Sequence, residues 1–202
     1  MYKQIEALQE VKVFLDQHAV QYVVIGGIAN AVWGRPRATH DADFKVVIGE
    51  RTIDEFVALL GTQFRFRVPD PVAFTQRTFV ATIYTSNHIE VDLVIGFLPY
   101  EEQAIERAIT VEHSGVTFPV CTAEDLVIHK AISEREKDWD DIEGVLARQG
   151  DKLDQSYIAH WLTQFAQALE WPELMQRYRE LCKNMEELET NLGGEYGNHP
   201  TV

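Results

Sequence analysis

The chain has 202 residues, 46% of them hydrophobic, and a formal net charge of -14, enough apolar material for one generous folded domain with a helical appendage. No run of about 18 uncharged apolar residues offers a membrane span, and the opening MYKQIEALQEVKVFLDQHAV mixes charge with apolar residues instead of forming an export leader. The acidic balance speaks against a general nucleic-acid binder. Cys121 and Cys182 form no CxxC or metal-ligand pattern, so two packing thiols in a reducing cytoplasm are expected.

In chain order, Ile5, Leu8, Val11 and Leu15 share one stripe between Gln4 and His18 and predict an amphipathic helix. Tyr22 to Ile25 reads as a short buried strand. After Gly26 and Gly27, IANAVW has helical composition and stops at Gly34, with Pro36 barring continuation. ADFKVVI is rich in strand formers, and Thr52 with Glu55 makes a capping box for a helix through Leu60. Phe64 to Val68 alternates as a half-exposed strand should, followed by strands over Phe79 to Tyr84 and Ile89 to Ile95. ITVEHSGVTFPV predicts a hairpin turning at Ser114-Gly115. From Thr122 the pattern is helical only: AEDLVIHKAISE, then DWDDIEGVLARQ closed by Gly150, a third helix opening at Asp154 and a fourth with Pro172 in its first turn. Strands first and helices last predict an α+β fold, a mixed sheet with a helical C-terminal part. The expected domains are a core over 1–120, a helical region over 121–192 and a flexible tail over 193–202.

The two glycines after the first strand would let a helix N-terminus approach a phosphate with bare backbone N–H groups. Asp41 and Asp43 lie two apart at the start of a strand, so both carboxylates point to one face and can hold hard cations. A third carboxylate comes from HIEVDLVIG, where Glu90 and Asp92 share a strand face. Three carboxylates from two strands beside a phosphate-binding turn are what a two-metal phosphoryl transfer needs, with ions about 3.5–4 Å apart.

The succession Gly26-Gly27, short helix, GRPRAT and Asp41-Ala42-Asp43, with a later carboxylate, resembles the signature of the nucleotidyltransferase superfamily. Arg37-Ala38-Thr39 ahead of Asp-x-Asp, and the later TAEDLVIHKAISEREKDWDDIEGVL, are similar to its toxin-like AbiEii-type branch. These segments span about residues 20 to 148. The template-independent tRNA 3′-end enzymes differ, having Arg-Asp where this chain has Asn30-Ala31. The toxin branch often has serine at the position of Gly27.

The resemblance implies a polymerase-β-like core and transfer of a nucleoside monophosphate from an NTP to a hydroxyl of RNA, a tRNA 3′ end or a protein. Two magnesium ions, or manganese in their place, would be held by Asp41, Asp43 and Asp92. Nucleotide contacts would come from Gly26, Gly27, Arg37, Thr39 and Lys130, the last because an ammonium in LVIHKAI needs an anionic partner. An antitoxin protein is the implied partner, with no membrane involved. The alternatives are a non-catalytic nucleotide-binding module or antitoxin partner, and an antibiotic adenylyltransferase, whose cationic substrate suits an acidic surface. Lys137, Asp138 and Asp141 read as a helix-start charge cluster, and His40 and His129 as incidental. Trp139, Tyr157, Trp161 and Phe165 fall at helical spacing and read as core.

Overall fold

The computed structural model describes residues 2–133 and 135–195. The chain divides into two compact units, one of Met1–Val32 with Pro36–Thr122, the other of Trp33–Arg35 with the chain from Ala123 onward. In chain order the first contains α1 (Tyr2–Gln17), β1 (Gln21–Ile25), α2 (Gly26–Trp33, whose last residue groups with the second unit), β2 (Ala42–Val47), α3 (Ile53–Leu60) and β3 (Arg65–Phe66). It continues through α4 (Pro71–Thr78), β4 (Val80–Tyr84), β5 (Glu90–Ile95), α5 (Pro99–Glu106), β6 (Ile109–His113) and β7 (Val116–Val120).

Among the described residues the strands form one seven-stranded sheet in the order β3-β4-β5-β2-β1-β7-β6. It is mixed: β2 runs parallel to β5 and β1 parallel to β7, while the other neighbours are antiparallel. The fold is α+β, as the order of elements predicts. The α1 stripe of Ile5, Leu8, Val11 and Leu15 is buried, each side chain contributing about 2 kcal/mol relative to exposure. Thr52 caps α3 with the full reciprocal box, its hydroxyl accepting from the Glu55 N–H and the Glu55 carboxylate accepting from the Thr52 N–H. The β6–β7 hairpin turns where Ser114 and Gly115 both have positive φ, 53° and 78°, the backbone a right-twisted two-residue turn requires.

Two segments depart from the sequence reading. The strand expected over Phe64 to Val68 is only Arg65–Phe66, because Asp70 caps a new helix through the Ala73 N–H at 3.1 Å and Pro71 presets its first turn. Helices α4 and α5, which the periodic reading passes over, occupy the connections on either side of β4 and β5.

The second unit holds α6 (Ala123–Ala131), α7 (Glu136–Gln149), a 3-10 turn (Gly150–Lys152), α8 (Gln155–Ala168) and α9 (Glu173–Glu195). Leu126, Ile128, Trp139, Ile142, Val145, Ile158, Leu162, Phe165 and Tyr178 bury their side chains. Of the four aromatics read as core, Trp139 and Phe165 are buried, while Tyr157 and Trp161 are half-buried. Trp33–Arg35 lies on α7: Gln149 donates to the Trp33 carbonyl at 2.7 Å and Arg148 to the Gly34 carbonyl at 3.0 Å. Gly144 makes room for it, since a Cβ there would sit 3.1 Å from the Arg35 backbone nitrogen. Residues 193–195 of the expected tail belong to α9, and 196–202 lie outside the described residues. Among the described residues no helix is long and apolar enough to cross a membrane.

Candidate active site

The turn from β1 into α2 explains the glycine pair sterically. Gly26 has φ +63°, and a Cβ on it would fall 1.9 Å from Asp43 Oδ2. One on Gly27 would fall 2.5 Å from Thr39 Oγ1. A carboxylate and a hydroxyl fill the space that side chains would need, and the Gly27 N–H donates a long hydrogen bond of 3.4 Å to Asp43 Oδ2. The N-terminus of α2, with its partial positive charge, therefore opens directly onto Asp43.

Strand register assembles the rest. Asp43 is the Cα partner of Asp92 in the parallel β2–β5 pair, and Asp92 is the partner of Thr82 in the antiparallel β4–β5 pair. Register partners share a sheet face, so Thr82, Asp92 and Asp43 form one row. Thr82, 2% exposed, donates from Oγ1 to Asp92 Oδ1 at 2.6 Å. Asp41 is exposed just before β2 and accepts from Thr39 Oγ1 at 2.8 Å. Thr39 is itself anchored, its carbonyl accepting from Gln4 Nε2 of α1 at 2.9 Å. Glu90, two residues before Asp92, pairs with Arg67 Nε at 3.5 Å instead of entering the row. Arg37 is exposed, with Nη1 3.5 Å from the Ala38 carbonyl.

Sequence reasoning missed two residues here. Thr82 became visible only through the β4–β5 register. Lys45 sits two residues past Asp43 on the same strand face, 7% exposed, with Glu101 Oε1 3.5 Å away. Burial holds its ammonium below the usual lysine range, outweighing the attraction and hydrogen bond of Glu101, which act the other way. The parity of Asp43 and Lys45 in ADFKVV was the available signal.

Asp41, Asp43 and Asp92 present only carboxylate oxygen, the donor chemistry of hard cations such as magnesium and manganese. Among the described residues no three His, Cys, Asp or Glu side chains form a group that could hold a metal ion. The facing pair Asp43 and Asp92 nevertheless fits magnesium, which usually binds through one or two carboxylates with substrate phosphates and water completing its shell.

Lys130 has its anionic partners inside the helical unit. Its ammonium, 5% exposed, donates to Asp138 Oδ1 at 2.8 Å and Asp141 Oδ2 at 2.6 Å. The partner that the sequence reading assigned to a nucleotide phosphate is thus this pair of carboxylates, joining helices α6 and α7. Ser133 Oγ and Arg135 Nε each add a 2.6 Å hydrogen bond to Asp138 Oδ2. Burial alone would raise the Asp138 pKa, but the bonds from Lys130, Ser133 and Arg135 prevail and hold it below the usual carboxylate range.

Residues 4–180 match the family described as "Nucleotidyl transferase of unknown function (DUF2204)". The chain belongs to this nucleotidyl transferase family. No curated protein matches it. Among solved structures, it is similar to an antigenic nucleotidyltransferase-like protein from Paracoccidioides brasiliensis, at 15% identity and TM-score 0.51, over 86% of this chain and 93% of that one. It is also similar to the antibiotic-resistance factor ANT(2'')-Ia in solution, at 12% identity and TM-score 0.51, over 94% of this chain and 98% of that one. The same enzyme in complex with adenylyl-2"-tobramycin aligns at 13% identity and TM-score 0.51, over 81% and 99% of the respective chains. These likenesses establish a nucleotidyltransferase fold.

Proposed function

We propose that this family member is a magnesium-dependent nucleotidyltransferase that moves a nucleoside monophosphate from an NTP to a hydroxyl acceptor. The observation that carries the reading is the β2–β5 register, which sets Asp43 beside Asp92 in front of the N-terminus of α2. Asp41 and Asp43 would hold two ions between them and Asp92 one of these, with manganese as an alternative. Bound magnesium supplies charge neutralisation at the attacking and leaving oxygens. The acceptor oxygen bonds to the α-phosphorus while the bond to the β-phosphate oxygen breaks, and pyrophosphate leaves with that electron pair. Asp92 takes the acceptor's proton. The Gly26 N–H and, once it is released from Asp43 Oδ2, the Gly27 N–H would seat the β and γ phosphates, Arg37 adds a cationic contact, and Thr39 orients Asp41. Lys130 acts instead as the internal cation of the helical unit.

Two acceptor classes remain in contention on different grounds. Arg37-Ala38-Thr39 ahead of Asp-x-Asp supports the AbiEii-type toxin branch, with an RNA or protein hydroxyl as acceptor and an antitoxin as partner. The net charge of -14 and the shared fold with an antibiotic-resistance factor solved with adenylyl-2"-tobramycin support a small cationic acceptor, since an acidic chain attracts a cation more readily than a long polyanion such as RNA. Incubating the protein with each α-labelled NTP and magnesium, in the presence of cellular RNA, cellular protein or a panel of aminoglycosides, separates these readings. Label should enter one class and be lost with Asp43→Ala. Intact NTP binding with no label in any class would sink the transferase reading in favour of a non-catalytic nucleotide-binding module.

A further inference from the structure

Two of the three site carboxylates carry a built-in hydroxyl donor. Thr82, 2% exposed, donates to Oδ1 of Asp92 at 2.6 Å, and Thr39, 8% exposed, donates to Oδ1 of Asp41 at 2.8 Å. The Thr39 hydroxyl has one proton, and the alternative acceptor, the Asp41 carbonyl, is farther away at 3.3 Å. Both donors are stiff. Threonine is restricted at χ1 by its branched Cβ, Thr82 is fixed in the β4–β5 ladder, and Thr39 is tethered through the bond that Gln4 donates to its carbonyl at 2.9 Å.

A carboxylate oxygen already engaged in a short hydrogen bond is the poorer metal ligand, so each of these aspartates has one preferred ligating oxygen, Oδ2. We infer that Thr82 and Thr39 determine cation specificity, holding Asp92 and Asp41 as single-oxygen ligands and thereby selecting magnesium over calcium. Magnesium demands an octahedron of single oxygens at about 2.0–2.1 Å, whereas calcium accepts six to eight ligands at about 2.3–2.6 Å and readily takes both oxygens of one carboxylate. Freed of its hydroxyl donor, Asp92 can turn to offer both oxygens, which favours the larger ion. The inference rests on the proposed metal-dependent transfer and assigns Thr82 as a positioning residue acting through Asp92.

The test uses the full chain without nucleotide. Bound Mn2+ is followed by electron paramagnetic resonance and displaced with magnesium or with calcium, giving a dissociation constant for each. Thr82→Val, which keeps the shape and removes the donor, should lower the magnesium-over-calcium preference by about tenfold, the size of effect typical for groups that orient metal ligands. Thr82→Ser should restore it, a rescue that a purely packing role would not give. Thr39→Val should shift the preference in the same direction by less, because Asp41 is exposed. An unchanged preference in folded Thr82→Val and Thr39→Val, or failure of Thr82→Ser to restore it, overturns the inference while leaving the metal site standing. A wild type that binds no divalent cation, either alone or with a non-hydrolysable NTP analogue whose phosphates can complete the ion's shell, overturns the metal reading of the active site and this inference with it.

Discussion

In the helical unit, Asp138 and Asp141 close on the ammonium of Lys130, whereas in the sheet unit Asp41 and Asp92 take hydrogen bonds from the neutral hydroxyls of Thr39 and Thr82. Both arrangements order carboxylates, with opposite electrostatic results. Lys130 and Arg135 match the charge of the two acids where burial would otherwise be costly, leaving a structural joint. A hydroxyl fixes orientation and adds no charge of its own, so it does not offset the carboxylate it holds. The nearby Lys45 does not undo this, since Glu101 matches its charge. An acidic cluster is therefore read by the charge of its donors more than by its acid count.

The comparison breaks most visibly at Asp43. Asp43→Ala or Asp41→Ala should lower transfer at least about a thousandfold, yet keep or raise the melting temperature in metal-free buffer, because like charges no longer repel. Full activity in either variant, or a wild type indifferent to magnesium, would remove Asp41 and Asp43 from the metal site.

The register argument is sharpened by Asp92→Asn against Glu90→Gln. The first should cost about a hundredfold or more in single-turnover transfer while NTP binding stays near wild type, since proton removal acts mainly in the transition state. The second should be mild, because Glu90 pairs with Arg67. A reversed ranking would hand the third-ligand role to Glu90.

On the structural side, Lys130→Met removes the ammonium shared by two buried carboxylates, with Asp138 keeping Ser133 and Arg135, and should destabilise the chain by about 3 kcal/mol in denaturant titrations, with NTP affinity unchanged for the folded fraction. Weakened NTP binding at unchanged stability would return Lys130 to the nucleotide site. The smallest effect is in acid. The Asp138 pKa is lowered by folding, so its contribution to stability is complete above the ordinary value of about 3.9 and is lost as pH falls through the lower folded value. Denaturation midpoints measured from pH 6 to pH 3 should fall below about pH 4 in wild type, with a shallower acid slope in Asp138→Asn. Equal slopes would mean that Asp138 is not held by its donors.

Much of this was legible locally. The Thr52 and Glu55 box and the Ser114-Gly115 turn are short-range devices, set by neighbouring backbone geometry, and both are present. Helices α4 and α5 escaped notice because each is eight residues long and buries few side chains, so periodicity is weak. Their signals were punctuation, Asp70-Pro71 at one start and Pro99 with Glu101 at the other, where Glu101 accepts from the Leu98 N–H at 2.9 Å.

By itself the sequence determined the α+β order of elements, the glycine turn and the shared parity of Asp41 with Asp43 and of Glu90 with Asp92, since these depend on spacing along one chain segment. Only the tertiary structure decided which acid lies beside Asp43, that Thr82 holds Asp92, and that Lys130 answers to Asp138 and Asp141. Strand register and helix packing join residues distant in sequence, and no local period encodes that pairing.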